Sequence, residues 1–118
     1  MSEITEIKCG KLTTIDLITR RYVLDTNSGA QYTLAGNDEK LSLYDDSGEI
    51  GQISMEKEGS GSIFMERDGK YEQIGEYQKI ETKYRVLVHE NFAALDVWRE
   101  DFHPLDLLIE KILSTERK

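Results

Sequence analysis

Residues 104–113, Pro-Leu-Asp-Leu-Leu-Ile-Glu-Lys-Ile-Leu, constrain this chain more than any other stretch. Leu105, Leu108, Ile109 and Ile112 recur at i, i+3, i+4 and i+7, which is one face of a helix. Leu113 widens that face, while Leu107 points nearly the opposite way. Such a helix needs apolar contact on more than one side, and the segments before it are the candidate cover. Pro104 suits the first helical position, where its missing N–H costs nothing. Asp106 falls in the first turn, near the positive end of the dipole; Lys111, Arg117 and Lys118 fall towards the negative end.

The rest of the chain reads as short strands and turns. Residues 1–10 are polar and end in Gly10, the pattern of a frayed or edge segment. Thr13, Thr14, Ile15 and Ile18 give residues 11–18 strand character, Arg20-Arg21 interrupts it, and Tyr22-Val23-Leu24 resumes it. Asp25-Thr26-Asn27-Ser28-Gly29 is a turn, with Asp and Asn bonding the local backbone and Gly supplying positive φ. Residues 30–34 form the next strand, closed by Gly36-Asn37-Asp38. Leu41 and Leu43 alternate with Ser42 and Tyr44, as on a half-buried strand. Asp45-Asp46-Ser47-Gly48 is the clearest hairpin turn. Beyond it the phase shifts between Ile50 and the pair Ile53 and Met55, which a bulge at Gly51-Gln52 reconciles.

Glu58-Gly59-Ser60-Gly61 and Arg67-Asp68-Gly69-Lys70 are further turns, with Ile63 and Met65 alternating between them. Gly75, inside the strand 71–77, calls for either a bulge or a close backbone approach. Tyr84-Arg85-Val86-Leu87-Val88 is the best strand, and its three successive aliphatics imply cover on both faces. Residues 92–98 read as a strand with Leu95 and Val97 alternating, although Ala93 and Ala94 also permit a helix start. Turn centres near 27, 37, 47, 60, 68, 80 and 90 indicate an antiparallel sandwich or barrel. No βαβ alternation is visible, which argues against a parallel doubly wound sheet.

The chain of 118 residues is long enough for one domain with one core. It carries 23 Asp and Glu against 15 Lys and Arg, a net of -8. The excess is concentrated in residues 38–72. An acidic surface repels phosphates and anionic lipid, which makes nucleic acid a poor partner. The single cysteine, Cys9, cannot form an intramolecular disulfide, and this favours a reducing, cytoplasmic setting. The first residues have neither the basic nor the apolar region of a signal peptide, and no apolar run approaches the ~18 residues of an integral membrane helix.

The candidate chemical groups are sparse. His89 and His103, the only histidines, lack a metal-ligand spacing, and His103 is placed beside the helix start. Asp45-Asp46-Ser47-Gly48-Glu49 has adjacent acids rather than the alternating ligands of a calcium loop, and reads as a hairpin turn. Gly59-Ser60-Gly61 lacks the Lys and the strand-to-helix setting of a phosphate loop. Cys9 has no nearby base in the sequence to activate it. No catalytic, cofactor-binding or metal-ligating residue is assigned, and no cofactor is expected. Trp98 and Arg99 are residue types that recur in interface hot spots, although capping the core beside the helix is the preferred role for Trp98. Leu107 lies off the main apolar stripe, so with Trp98 it leaves room for a homodimer in which a second chain covers the helix. Trp98, Arg99 and Leu107 are therefore the candidate partner-binding residues.

Two parts of the chain carry a family resemblance. Leu41-Ser42-Leu43-Tyr44-Asp45-Asp46-Ser47-Gly48-Glu49-Ile50-Gly51-Gln52-Ile53 is similar to a strand, Asp-x-x-Gly turn and strand. Phe92-Ala93-Ala94-Leu95-Asp96-Val97, followed by 105–113, looks like a last barrel strand leading into a buried helix. Together, about a third of the chain, they resemble the tubby C-terminal-like fold of LURP-one-related proteins and phospholipid scramblases. That resemblance implies a β-barrel wrapped around an apolar C-terminal helix. This chain departs from the group in its shortness, in the charges Asp106, Glu110 and Lys111 on the helix, and in having no cysteine-rich cluster or basic lipid-binding patch. No functional residue is carried over, because fold does not imply function.

The expectation is a mainly β (β+α) chain. A polar segment, 1–10, precedes a single domain, 11–116, built as an antiparallel barrel or strongly curved sheet of about 7–9 short strands. The helix 104–115 packs on or in that sheet, with Asp106, Glu110 and Lys111 in water. The function class expected is a small acidic cytosolic protein-interaction module without catalysis. The alternative is a carrier of a small apolar ligand or lipid in the barrel interior.

Overall fold

A computed structural model describes residues 3–37, 39–57, 59–90 and 93–116. The chain makes a single antiparallel sheet in which every strand pairs with its neighbour in sequence. The strands are β1 (Ile4–Ile7), β2 (Gly10–Asp16), β3 (Arg21–Thr26), β4 (Gln31–Gly36), β5 (Lys40–Asp45), β6 (Gly48–Lys57), β7 (Ser60–Arg67), β8 (Lys70–Ile80), β9 (Lys83–Glu90) and β10 (Ala93–Arg99). A helix, α1 (Pro104–Glu116), follows. The ten strands among the described residues exceed the expected seven to nine. Among the described residues β1 and β10 each pair on one side only, so the sheet is not closed into a barrel.

The extra strands come from the two turns that the sequence hides. Segment 1–10 contributes β1, an edge strand paired with β2 from Ile4↔Thr13 to Ile7↔Gly10. The β2–β3 turn has no Gly, Pro or Asn. It is held instead by the Asp16 carboxylate, whose Oδ1 accepts N–H bonds from Ile18 at 2.9 Å and Thr19 at 3.3 Å, and by Arg20 at φ 54°. These bonds keep Asp16 ionised below the ordinary aspartate range. Ile15 is the bulged residue between the pairs Thr14↔Tyr22 and Asp16↔Arg21. It does not join the core as strand character alone implied: Ile15, Leu17 and Ile18 are 58, 65 and 93% exposed.

The pairings align rows of side chains across the inner face. One row runs Tyr22, Leu34, Leu43, Gly51 and Met65. Another runs Leu41, Ile53, Ile63, Gly75 and Val88. Each row thus has one gap, at a glycine, and the helix fills both. A Cβ at Gly51 would lie 2.9 Å from both methyls of Leu108, and a Cβ at Gly75 would lie 2.7 Å from Leu107 Cδ2. Successive leucines of α1 therefore rest directly on strand backbone, and the helix packs over β6, β7 and β8. A bulged isoleucine precedes each glycine: Ile50, left over between Leu43↔Gly51 and Tyr44↔Glu49, and Ile74, between Ile63↔Gly75 and Phe64↔Gln73. The first bulge falls one residue earlier than the Gly51-Gln52 position expected. Gly75 combines both of its alternatives, a bulge beside it and a close approach over it.

Leu105, Leu107, Leu108, Ile109 and Ile112 are all buried. The cover that Leu107 demanded is supplied within the chain, by β8. Of the three helix charges expected in water, Glu110 is exposed, while Asp106 and Lys111 are half-buried. Asp106 is drawn in because its Oδ1 accepts the Cys9 N–H at 2.8 Å, across 97 residues of sequence. The last turn of α1 carries no basic residue, and Arg117 and Lys118 lie outside the described residues. Phe102 anchors the entry to the helix, with ring centroids 5.6 Å from Tyr77 and 5.9 Å from Tyr84. Residues 93–99 are strand throughout, paired with β9 from Ala93↔Glu90 to Arg99↔Tyr84, so the alternative helix start does not form. The Asn91 and Phe92 positions lie outside the described residues.

Candidate functional site

The Cys9–Asp106 bond brings the first turn of the sheet against the first turn of the helix. Between them and the last two strands lies a cleft of about 440 Å³, within the range of about 300–1,000 Å³ usual for binding pockets. Val86 and Val88 of β9, Phe102, and Leu107, Ile109 and Leu113 of α1 make its floor. This floor follows from local chemistry. Val86 and Val88 share the inner face of β9 because strand side chains alternate, and Leu113 and Ile109 are one helical turn apart.

The rim is charged. Asp101, Asp106 and Glu110 face it with Lys8 and Arg99, so carboxylates outnumber cations. Several ionisable groups here already hold the structure together. Asp106 receives the Cys9 N–H. His103 lies beside the helix start, as expected, and it also caps the helix: its Nδ1 accepts the Leu105 N–H at 3.2 Å and its carbonyl oxygen accepts the Asp106 N–H at 3.0 Å. Burial holds the His103 ring below the usual histidine range, against the pull of the Asp106 carboxylate. A neutral ring is the form that can accept at Nδ1. Burial, followed by the hydrogen bond and charge of Asp106, pushes the Cys9 thiol up to about 12. At neutral pH that sulfur is a thiol, a poor nucleophile and a poor metal ligand.

The sequence candidates separate here. Arg99 lies on the rim, and Leu107, only 7% exposed, forms part of the floor. Trp98 points the other way. Adjacent residues of a strand face opposite sides, so with Val97 turned inward Trp98 is 52% exposed and does not cap the core. Its neighbour across the outer face, Arg85, pairs with Asp96 through Nη2 to Oδ2 at 2.7 Å. Reading the sequence alone missed Lys8, Val86, Val88, Asp101, Phe102 and Glu110. The one available signal was the three-aliphatic run Val86-Leu87-Val88, whose inner face needs a neighbour.

The other sequence motifs are structural. Asp45 Oδ1 accepts Ser47 N–H at 2.8 Å and Ser47 Oγ at 2.6 Å, the local bonding of a hairpin turn. Ser60 and Gly61 belong to β7, and Glu58 lies outside the described residues. Among the described residues no three His, Cys, Asp or Glu side chains converge on a metal-sized site, and no helix is long and apolar enough to cross a membrane. No protein-family model, curated protein or solved structure matches the chain.

Proposed function

We propose that this chain is a small non-catalytic protein-interaction module whose cleft receives an aliphatic side chain from a partner bearing positive charge. The observation that carries this reading is the cleft itself: an apolar floor inside a rim where carboxylates predominate, on a chain of net charge -8. Apolar area supplies the affinity of such a contact, and charge complementarity supplies its orientation and on-rate. The non-catalytic part is supported by the engagement of Asp106 and His103 in holding the fold. A cytosolic setting rests on the lone, protonated Cys9 thiol. A tubby-like barrel, open at one seam and plugged by α1, is the fold we propose for this arrangement; the curl that returns residues 8–10 to the helix supports it.

The test is a methyl-NMR titration with a short synthetic peptide of leucine and isoleucine flanked by arginines. The Val86, Val88, Ile109 and Leu113 methyls should shift together and saturate. Unmoved methyls at millimolar peptide, or turnover of a small molecule in the same cleft, would sink the proposal. A second reading, a carrier of an apolar ligand, draws on the same floor. In it the ligand lies beside α1, because Leu107 and Leu108 fill the positions over β6 and β8. Native mass spectrometry of freshly purified protein separates the two readings, since a copurifying apolar ligand favours the carrier.

A further inference from the structure

We infer that the occupant of the cleft is the β2–β3 turn of a second copy of this chain, so that molecules associate head to tail. The inference rests on reading the cleft as a protein-docking site, and it names the partner. The turn presents Leu17 and Ile18 at 65 and 93% exposure, with Ile15 at 58% behind them. Three large aliphatics in water on one hairpin are a marked feature in a chain that is 32% charged. The tip is also preformed. Asp16 ties down the Ile18 and Thr19 amides, so little conformational freedom is lost on docking.

Charge points the same way. The turn itself, residues 16–21, carries Arg20 and Arg21 against Asp16, one net positive charge on a chain of net -8. The cleft rim offers Asp101, Asp106 and Glu110 against Lys8 and Arg99. An aliphatic, basic tip thus meets an aliphatic, acid-rich cleft.

The contact cannot be made within one molecule. β2 runs from Gly10, next to the cleft, to Asp16, at the tip turn, and is 7 residues long. At about 3.3 Å per residue this sets the tip roughly 20 Å from the cleft. Tip and cleft are different surfaces, so the interface is heterologous: each molecule can give a tip and receive one.

The test is sedimentation velocity from low micromolar to near-millimolar protein. Wild type should grow in size with concentration. Ile18→Asp disables the tip and Glu110→Lys disables the rim; each should weaken association at least tenfold. Both positions are exposed, and unchanged thermal melts will show that both variants are folded. The decisive sample is an equimolar mixture of the two variants. One intact tip and one intact cleft remain, so the mixture should form a 1:1 dimer and stop there. A wild type that stays monomeric throughout, or a mixture that stays monomeric, overturns the inference. If wild type is monomeric while the arginine-flanked peptide still moves the cleft methyls, the copy-to-copy contact falls and the docking cleft stands. If neither is seen, both fall.

Discussion

Replacing Gly51 by alanine tests how the helix is seated. The new Cβ would lie 2.9 Å from Cδ1 and Cδ2 of Leu108 and 3.1 Å from the Phe64 carbonyl oxygen. Carbon atoms in contact normally sit at about 3.5–4.0 Å, so both methyls must retreat. Leu108 is fully buried and has little room to do so. Overpacking of this kind costs about 1–3 kcal/mol. Leu108→Ala removes the colliding methyls and leaves a hole, at a cost of about 2–5 kcal/mol. If the two residues were independent, the losses would add. Because they touch, Gly51→Ala should be nearly harmless once Leu108 is alanine, with only the Phe64 oxygen still close. The expected coupling is about 1–2 kcal/mol, well within what touching residues show. Urea unfolding of wild type, both single variants and the double variant, compared at constant m, measures it. Losses that add to within about 0.5 kcal/mol would refute the claim that Leu108 rests on Gly51.

Other consequences follow from the same packing. Ile109→Asp places a charge where the side chain is 1% exposed, and should unfold the domain by circular dichroism; Glu110→Gln, on the exposed arc, should leave the melting temperature nearly unchanged. Asp106→Ala strips the Cys9 N–H of its acceptor and should cost about 1–3 kcal/mol, with faster amide exchange at Cys9 than at the strand amides of β7. Acid should weaken the fold through His103. An unfolded histidine titrates near about 6.5, and burial lowers the ring's pKa in the folded protein, so the unfolded chain binds the proton first. The contribution is therefore complete above that pH and is lost as pH falls through it towards the folded value. Protonation also removes the Nδ1 acceptor of Leu105. Urea midpoints measured from neutral pH downward should fall across this window, and should lose that fall in His103→Phe; a midpoint that rises on acidification would contradict the assignment.

What could be read from the sequence, and what could not, divides by the range of the interaction. The helix and its stripe, the Asp45–Gly48 and Asp68–Gly69 turns, and the alternation of Ile63 with Met65 depend on neighbours in sequence, and the structure contains them; around Leu41 and Leu43 the alternation is blurred, because Ser42 between them is buried too. The β2–β3 turn was illegible because Leu-Ile-Thr-Arg carries no turn residue; a side-chain bond from Asp16 does that work. Trp98 was misjudged although the alternation of Leu95 and Val97 already set it on the opposite face from Val97; the pairing of β10 to β9 keeps that phase and leaves the ring outside. Leu107 left room for a second chain, since nothing local reveals that β8 carries a glycine at the place where it lands. The cleft was invisible as a whole: it joins residues 8–9, 86–88 and 99–113, which only the curl of the sheet assembles. The two Ile-Gly steps, 50–51 and 74–75, were the overlooked signal, each a bulge followed by a missing side chain.

The central claim is that α1 completes the core of an open sheet, and that the cleft is the space left beside it. Native-state hydrogen exchange tests this most directly. If the claim holds, the amides of Leu108, Ile109 and Ile112 exchange only by global unfolding, with the same opening free energy as Ile53 and Ile63 on β6 and β7. Helix amides that open well below that value, while the strands stay protected, would mean that the helix is an appendage and that the cleft has no fixed wall.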